Sequence, residues 1–328
     1  MKRKEFISKS LIGMAGLSLG PEMFANNISL PIEVPQIKSS IGKLNQTKIK
    51  ICIFSKQLQW LNYKDMANAV AEMGYDGIDL TVRADGHVLP ERVEEDLPKA
   101  VDAAKKAGIE IMMISTDITN ACDAKTDRVL KTAAALGIRH YRTNGLNYQK
   151  SLDIPDNIEK IKKDFKGLSE INEKYGVRSD YLNHSEEGFG ASIWDLWLTL
   201  KDLNHEYIGS QYDIKHATIA GAHSWPIGFK LIHKYIRTMV IRDFKWEKIN
   251  NRWEIKPVAI GQGMVDFEKY FKLVKEFGIS GPISVMCDYD LGGAENGAKS
   301  LTIPGKNVLD AMSKDLISLK NRMELIGL

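Results

Sequence analysis

Apolar and polar positions follow a repeating order from Lys48 onward. Short apolar runs recur, each followed by a loop and then by a longer stretch with helical spacing, the pattern of β/α units built on a parallel sheet. Runs at residues 51–54, 77–80, 111–115, 140–143, 179–182, 209–213, 238–241 and 283–286 read as strands. Eight is the number that closes a barrel. Between them, residues 63–73 form a helical stretch ending at Gly74. Residues 93–107 put Val93, Leu97, Val101 and Ala104 on one stripe before Gly108, and residues 156–175 end at Gly176. Pro98 predicts a kink or restart in the second of these. Helix-glycine-strand joins recur at Gly137 and Gly278. A doubly wound sheet would share the alternation but needs a phosphate-binding glycine turn after its first strand. The stretch Ser55-Lys56-Gln57-Leu58-Gln59-Trp60 has no glycine. The pattern therefore predicts one α/β domain, a single (β/α)8 TIM barrel over residues 48–328.

The residues before it follow a different order. Met1-Lys2-Arg3-Lys4 is basic, residues 11–19 are small and apolar, and Phe24-Ala25-Asn26 offers a cleavage point, which together make residues 1–25 read as a secretory signal peptide. Residues 2–9 are also similar to a twin-arginine signal with Lys4 in place of the second arginine. Residues 26–47, with Pro31 and Pro35, form a polar spacer. Export, with the periplasm as destination, is the expectation. The chain of 328 residues contains no run of 18 apolar positions, so stable membrane insertion after signal removal is not expected. Lys and Arg number 45 against 42 Asp and Glu, a net +3 spread without long like-charge blocks, which disfavours a nucleic-acid partner. Three widely spaced cysteines give no disulfide framework.

In such a barrel the chemistry sits where the strands end and the βα loops converge. The first four ends carry Lys56, Arg83 with His87, Asp117 and Asn144. The last four carry Asn183-His184, Asp213 with His216, Arg242-Asp243, and Asp288 with Tyr289, and these are richer in metal-competent groups. Asp213 and His216 could share a divalent metal (Mn, Zn, Co or Mg) or divide metal and substrate between them. Alternatively, Asp213 caps the helix that follows. His184 and Asp288 are candidates both for metal binding and for proton transfer, and Asp243 for proton transfer. Arg242 and Lys245, with Arg83, supply donors for a hydroxylated or anionic substrate, although Arg242 and Asp243 could equally form a surface ion pair. Glu186 and Glu187 read as solvated. Cys287 reads as a buried filler, and Trp194 and Trp197 as a core stripe.

The motifs Asn183-His184-Ser185, Gly190-Ala191-Ser192-Ile193-Trp194-Asp195, Tyr212-Asp213-Ile214-Lys215-His216-Ala217-Thr218, Asp243-Phe244-Lys245-Trp246, Gly261-Gln262-Gly263-Met264-Val265-Asp266-Phe267 and Asp290-Leu291-Gly292-Gly293-Ala294-Glu295 resemble the xylose isomerase-like TIM barrels, in particular an exported branch described as sugar phosphate isomerase/epimerase-like. The resemblance implies a divalent metal held by Glu, Asp, His and Glu at strand ends five to eight, with the glutamates moving protons. Asp213 matches the aspartate, and His216 matches a histidine that contacts substrate. Leu182, Val240 and Met286 stand where the other three ligands would fall. His184 and Asp288 lie two residues further on, a spacing that keeps a side chain on the same face of a strand.

These readings point to a sugar or keto-sugar isomerase or epimerase that abstracts a proton beside a carbonyl, with a small carbohydrate as its partner. Two alternatives stay open, a keto-glycoside β-eliminating lyase on the same site and a carbohydrate-binding barrel without turnover. Phosphodiester cleavage requires a metal cluster for which these strand ends hold too few ligands. Because nothing before Lys48 fits the barrel pattern, a chain beginning at Asn26 is expected to melt at the same temperature as the full chain, as followed by circular dichroism. Loss of folding on removing residues 1–25 would show that the leader belongs to the domain.

Overall fold

The computed structural model describes residues 49–328; the signal-like segment and the spacer lie outside the described residues. Eight parallel strands close a barrel: β1 (Ile51–Phe54), β2 (Gly77–Val82), β3 (Glu110–Thr116), β4 (His140–Arg142), β5 (Arg178–Leu182), β6 (Ile208–Asp213), β7 (Ile236–Ile241) and β10 (Ile283–Val285), which pairs with both β7 and β1. Between the last two lies an antiparallel hairpin, β8 (Asp243–Ile249) and β9 (Arg252–Val258). The helices are α1 (Tyr63–Met73), α2 (Val93–Lys106), α3 (Ala124–Ala135), α4 (Ile154–Tyr175), α5 (Ile193–Leu200), α6 (Ile214–Gly221), α7 (Trp225–Ile232), α8 (Phe267–Glu276) and α9 (Gly305–Ile326).

The helix ends follow from local chemistry. The Asn62 carboxamide oxygen accepts the Asp65 N–H at 3.0 Å to start α1, and Gly74 ends it at φ 84°, a backbone that a side chain would strain. Asp153 and Gly176 close α4 in the same manner. Helix α2 runs through Pro98 without interruption. Residues of the strands alternate between two buried faces. In β6, Tyr212 points outward and packs edge-on against Phe229 of α7, with ring centroids 5.0 Å apart, and stacks on Tyr270 of α8. Its neighbours Gln211 and Asp213 are fully buried on the opposite, inner face. One layer beneath the mouth the interior is polar. Asp79 accepts hydrogen bonds from Ser115 and Ser284 at 2.7 and 2.8 Å, and Thr238 donates to Asp180 at 3.1 Å, so these hydroxyls tie strands together from inside, β2 to its neighbour β3 and, one strand further round, β2 to β10 and β5 to β7. Trp194 departs from its expected place in the core and is 52% exposed on α5.

The hairpin was not evident in the hydrophobic pattern. Its turn is Asn250-Asn251, both left-handed at φ 48° and 65°, which asparagine tolerates better than most residues. Its root explains Asp243. The carboxylate is buried and accepts backbone N–H groups from Phe244 (2.8 Å), Gly261 (2.9 Å), Gly263 (2.9 Å) and Val265 (3.2 Å). Gly263 is obligatory there, since a Cβ would stand 2.2 Å from Asp243 Oδ1. Asp243 thus braces a loop instead of facing substrate. Lys245 is carried away on β8, opposite Lys256. Removing the brace with Asp243→Ala should leave several buried N–H groups unmatched and lower stability by about 2–4 kcal/mol. Urea unfolding measures the loss, and a change below 0.5 kcal/mol would contradict the bracing role.

Candidate functional site

A cavity of about 440 Å³ opens at the C-terminal ends of the strands. Arg242, just past β7, organises its floor. Its Nε donates to Asp213 Oδ2 at 2.6 Å, and its Nη1 pairs with Asp288 Oδ2, which also receives Lys215 Nζ at 3.2 Å. Burial would lower the Arg242 pKa, but the two carboxylates outweigh it and hold the guanidinium above its ordinary value. Burial would raise Asp288, yet Arg242 and Lys215 bring it down to about 2. Lys215, buried and beside Arg242, is pushed down.

Asp213 is positioned by its neighbours. The Asn183 side chain accepts the Asp213 N–H at 2.7 Å and donates to its carbonyl at 3.0 Å, while Asp213 Oδ1 accepts the His216 N–H at 3.0 Å and so caps α6. His216 is buried, with Nδ1 2.7 Å from Ser185 Oγ and, among the described residues, no partner for Nε2. Burial first, then the charge on Arg242, pushes its pKa far down, so the ring is a neutral imidazole. The His184 ring lies against it, with centroids 3.8 Å apart. His184 is exposed and lines the cavity, with Nδ1 2.8 Å from the Ser185 carbonyl. That contact makes Nδ1 the protonated nitrogen and leaves Nε2 as the acceptor.

The three missing ligand positions have a common fate. Leu182, Val240 and Met286 pack with Phe54 as a small apolar cluster at the barrel mouth. His184 and Asp288 do not take over the lost ligands together with Asp213. Both stand beyond the last paired residues, Leu182 and Val285, so the alternation that would aim them inward has ended. Asp288 and Asp213 are bridged by a guanidinium, and among the described residues no three His, Cys, Asp or Glu side chains converge on one point. This donor set does not fit a divalent ion.

Among the expected site residues, Arg83, His184, Arg242 and Asp288 line the cavity; Asp213 and His216 stand behind them, and Asp243 and Lys245 are excluded. Arg142, Lys215 and the cavity-lining Glu186, at φ 91°, were not singled out as binding groups. The signal for Arg142 lay in the alternation His140-Tyr141-Arg142, which sends Arg142 to the same face as His140. Lys56, a strand-end residue by its sequence, lines the cavity as well.

A closed parallel barrel with a polar cavity at the C-terminal mouth defines the class. The chain belongs to the xylose isomerase-like TIM barrel family, whose model matches residues 67–302. No curated protein matches it by sequence. Among solved structures, it resembles IolI with a bound zinc atom (18% identity, TM-score 0.66, covering 84% of this chain and 99% of that one). It also resembles D-psicose 3-epimerase with D-tagatose from Clostridium cellulolyticum H10 (13%, 0.64, 84% and 99%). A third is 3-keto-D-glucoside 4-epimerase, YcjR, from E. coli (12%, 0.61, 82% and 100%). At these identities the likeness is one of fold.

His87, in the loop after β2, gives the site's surroundings a pH signature. Its ring contacts the Leu58 carbonyl at 3.2 Å and Thr81 Oγ1 at 3.3 Å, and burial lowers its pKa to about 4. The unfolded chain takes up this proton near pH 6.5, so between about 6.5 and 4 it binds more protons than the folded chain and stability falls as pH falls. The slope should approach about 1.4 kcal/mol per pH unit. Melting temperatures of wild type and His87→Asn across this window test it, the variant being expected to show the shallower dependence.

Proposed function

We propose that the protein is an isomerase or epimerase that moves a proton beside the carbonyl of a small sugar or keto-sugar. The observation carrying this reading is His184, whose acceptor nitrogen has no partner among the described residues at a cavity also lined by Lys56 and Arg242. An imidazole so held can take a proton from a carbon next to a carbonyl. The negative charge that develops on the carbonyl oxygen meets cations already in place at the cavity wall, which stabilise it. Lys56, whose ammonium is made more acidic by burial, lines the same cavity and can return a proton. Asp288 serves as a fixed negative charge, because Arg242 and Lys215 keep it ionised. No step passes through a metal, since Asp213 and Asp288 are engaged by Arg242. The relatives named as epimerases support the reaction class, and the basic and apolar order of residues 1–25 supports work in the periplasm.

The test is proton exchange in heavy water with a panel of ketohexoses and 3-keto-glucosides, followed by proton NMR. Wild type should wash out the signal next to the carbonyl, and His184→Gln should slow this at least about 100-fold with an unchanged melting temperature. Chelation by EDTA should leave the rate unaltered. Undiminished exchange in His184→Gln would overturn the role of His184, and loss of exchange on chelation would overturn a metal-free site.

A further inference from the structure

Outside the Arg242 network, three cations of the mouth lack an anion of their own. Arg142 is 8% exposed and lines the cavity, and among the described residues no hydrogen bond or ion pair engages its guanidinium. Its Cζ lies 4.8 Å from the Phe54 ring centroid, and Arg83 Cζ lies 5.6 Å from the same centroid. Two guanidinium groups therefore share one aromatic ring. Lys56 lines the same cavity, and neither it nor Arg83 has a carboxylate within ion-pairing distance among the described residues. Burial pushes all three below their ordinary values, Arg142 to about 10, and the charge on Arg83 and Arg242 pushes Lys56 and Arg142 down further.

Of the carboxylates nearby, Asp117 is close enough for its charge to act on Arg83 but forms no ion pair with it among the described residues, and the others are engaged or exposed. Asp288 is held by Arg242 and Lys215, and Asp79, whose charge reaches both Arg142 and Arg83, is taken up by Ser115 and Ser284. Glu186 is the other carboxylate lining the cavity, and it is exposed on its loop. Unpaired like charges collected in a half-buried cavity are costly, and an oxyanion removes the cost by charge-assisted hydrogen bonds for which guanidinium is geometrically suited. The cavity volume suits a monosaccharide.

We propose that the mouth binds an anionic sugar whose carboxylate or phosphate is held by Arg142, Arg83 and Lys56, with the carbon skeleton toward His184. This rests on the cavity being the substrate site and deepens that reading by naming the substrate class. Recognition of the anion then falls chiefly to Arg83 and Arg142, past β2 and on β4, with Lys56 shared between the anion and return of the proton, and proton abstraction falls to His184 in the loop after β5.

Calorimetric titration of the full chain with D-glucose, D-glucuronate and D-glucose 6-phosphate tests it, with binding as the readout. At least one anionic sugar should bind at least about ten times more tightly than glucose, with affinity falling as salt rises. Preference for glucuronate identifies a carboxylate, and preference for glucose 6-phosphate a phosphate. Arg142→Met should abolish that preference and Lys56→Met should reduce it, while Lys245→Met, outside the cavity, should leave it intact. Lys56→Met carries the test if Arg142→Met does not fold. Equal binding of all three sugars, or an anion preference that survives both substitutions, would overturn the proposal. Anion binding without proton exchange would instead overturn the proposed reaction, so the two failures are distinguishable.

Discussion

The buried guanidinium of Arg242 between Asp213 and Asp288 governs the barrel mouth. The cation is held above its ordinary pKa by both carboxylates, and with Lys215 it keeps Asp288 ionised inside protein. Breaking such a triad by removing one member costs far more than its net worth, because an unmatched charge is left behind. Other features follow from it. Lys215 completes the charge balance of Asp288, and His216 stays neutral because Arg242 adds to the effect of burial. Leu182, Val240 and Met286 pack as an apolar patch with Phe54, while Asp213 and Asp288 are matched by Arg242 instead of by groups at those three positions. The charged centre of this mouth is built around a side chain.

Rigidity comes from backbone pairing on either side of that triad. Asn183 grips both the N–H and the carbonyl of Asp213, so the carboxylate is aimed by two strands at once. Asp243 gathers the loop around Gly261 and Gly263, fixing the hairpin that departs directly after Arg242. Neither residue touches the cavity, yet both determine where its charged groups point. The cost of this order is offset in the core, where the outward faces of the strands pack against aromatic side chains of the helices.

The division of labour around the mouth is asymmetric. Strands β1 and β4 contribute Phe54 and Arg142, and the residue just past β2 is Arg83, the three joined through one aromatic ring. The ends of β5, β6 and β7 contribute the histidine pair, the capped aspartate and the paired arginine. Loops on a stable barrel can diverge in this manner without disturbing the strands beneath, which is why one architecture carries many chemistries.

Much of this was legible in the chain. Short apolar runs and glycine stops reported all eight barrel strands and three of the helices, because burial on both faces of a parallel sheet demands continuous apolar runs from local sequence. Strand ends also indicated Arg83, His184, Asp213, Arg242 and Asp288, since in a barrel every such end converges on one mouth. Partners, however, are not local. Asp243 and Arg242 are adjacent in sequence yet serve a loop brace and a charge triad, and only the path of the hairpin separates them. Lys245 leaves the site by the same path. Whether Asp213 would hold an ion or an arginine depended on groups 29 and 75 residues further along the chain, at Arg242 and Asp288, brought within bonding distance by closure of the barrel. The sequence by itself determined which elements form and which polar side chains reach the mouth; the tertiary structure decided which charges pair, because pairing depends on distance across the barrel and not along the chain.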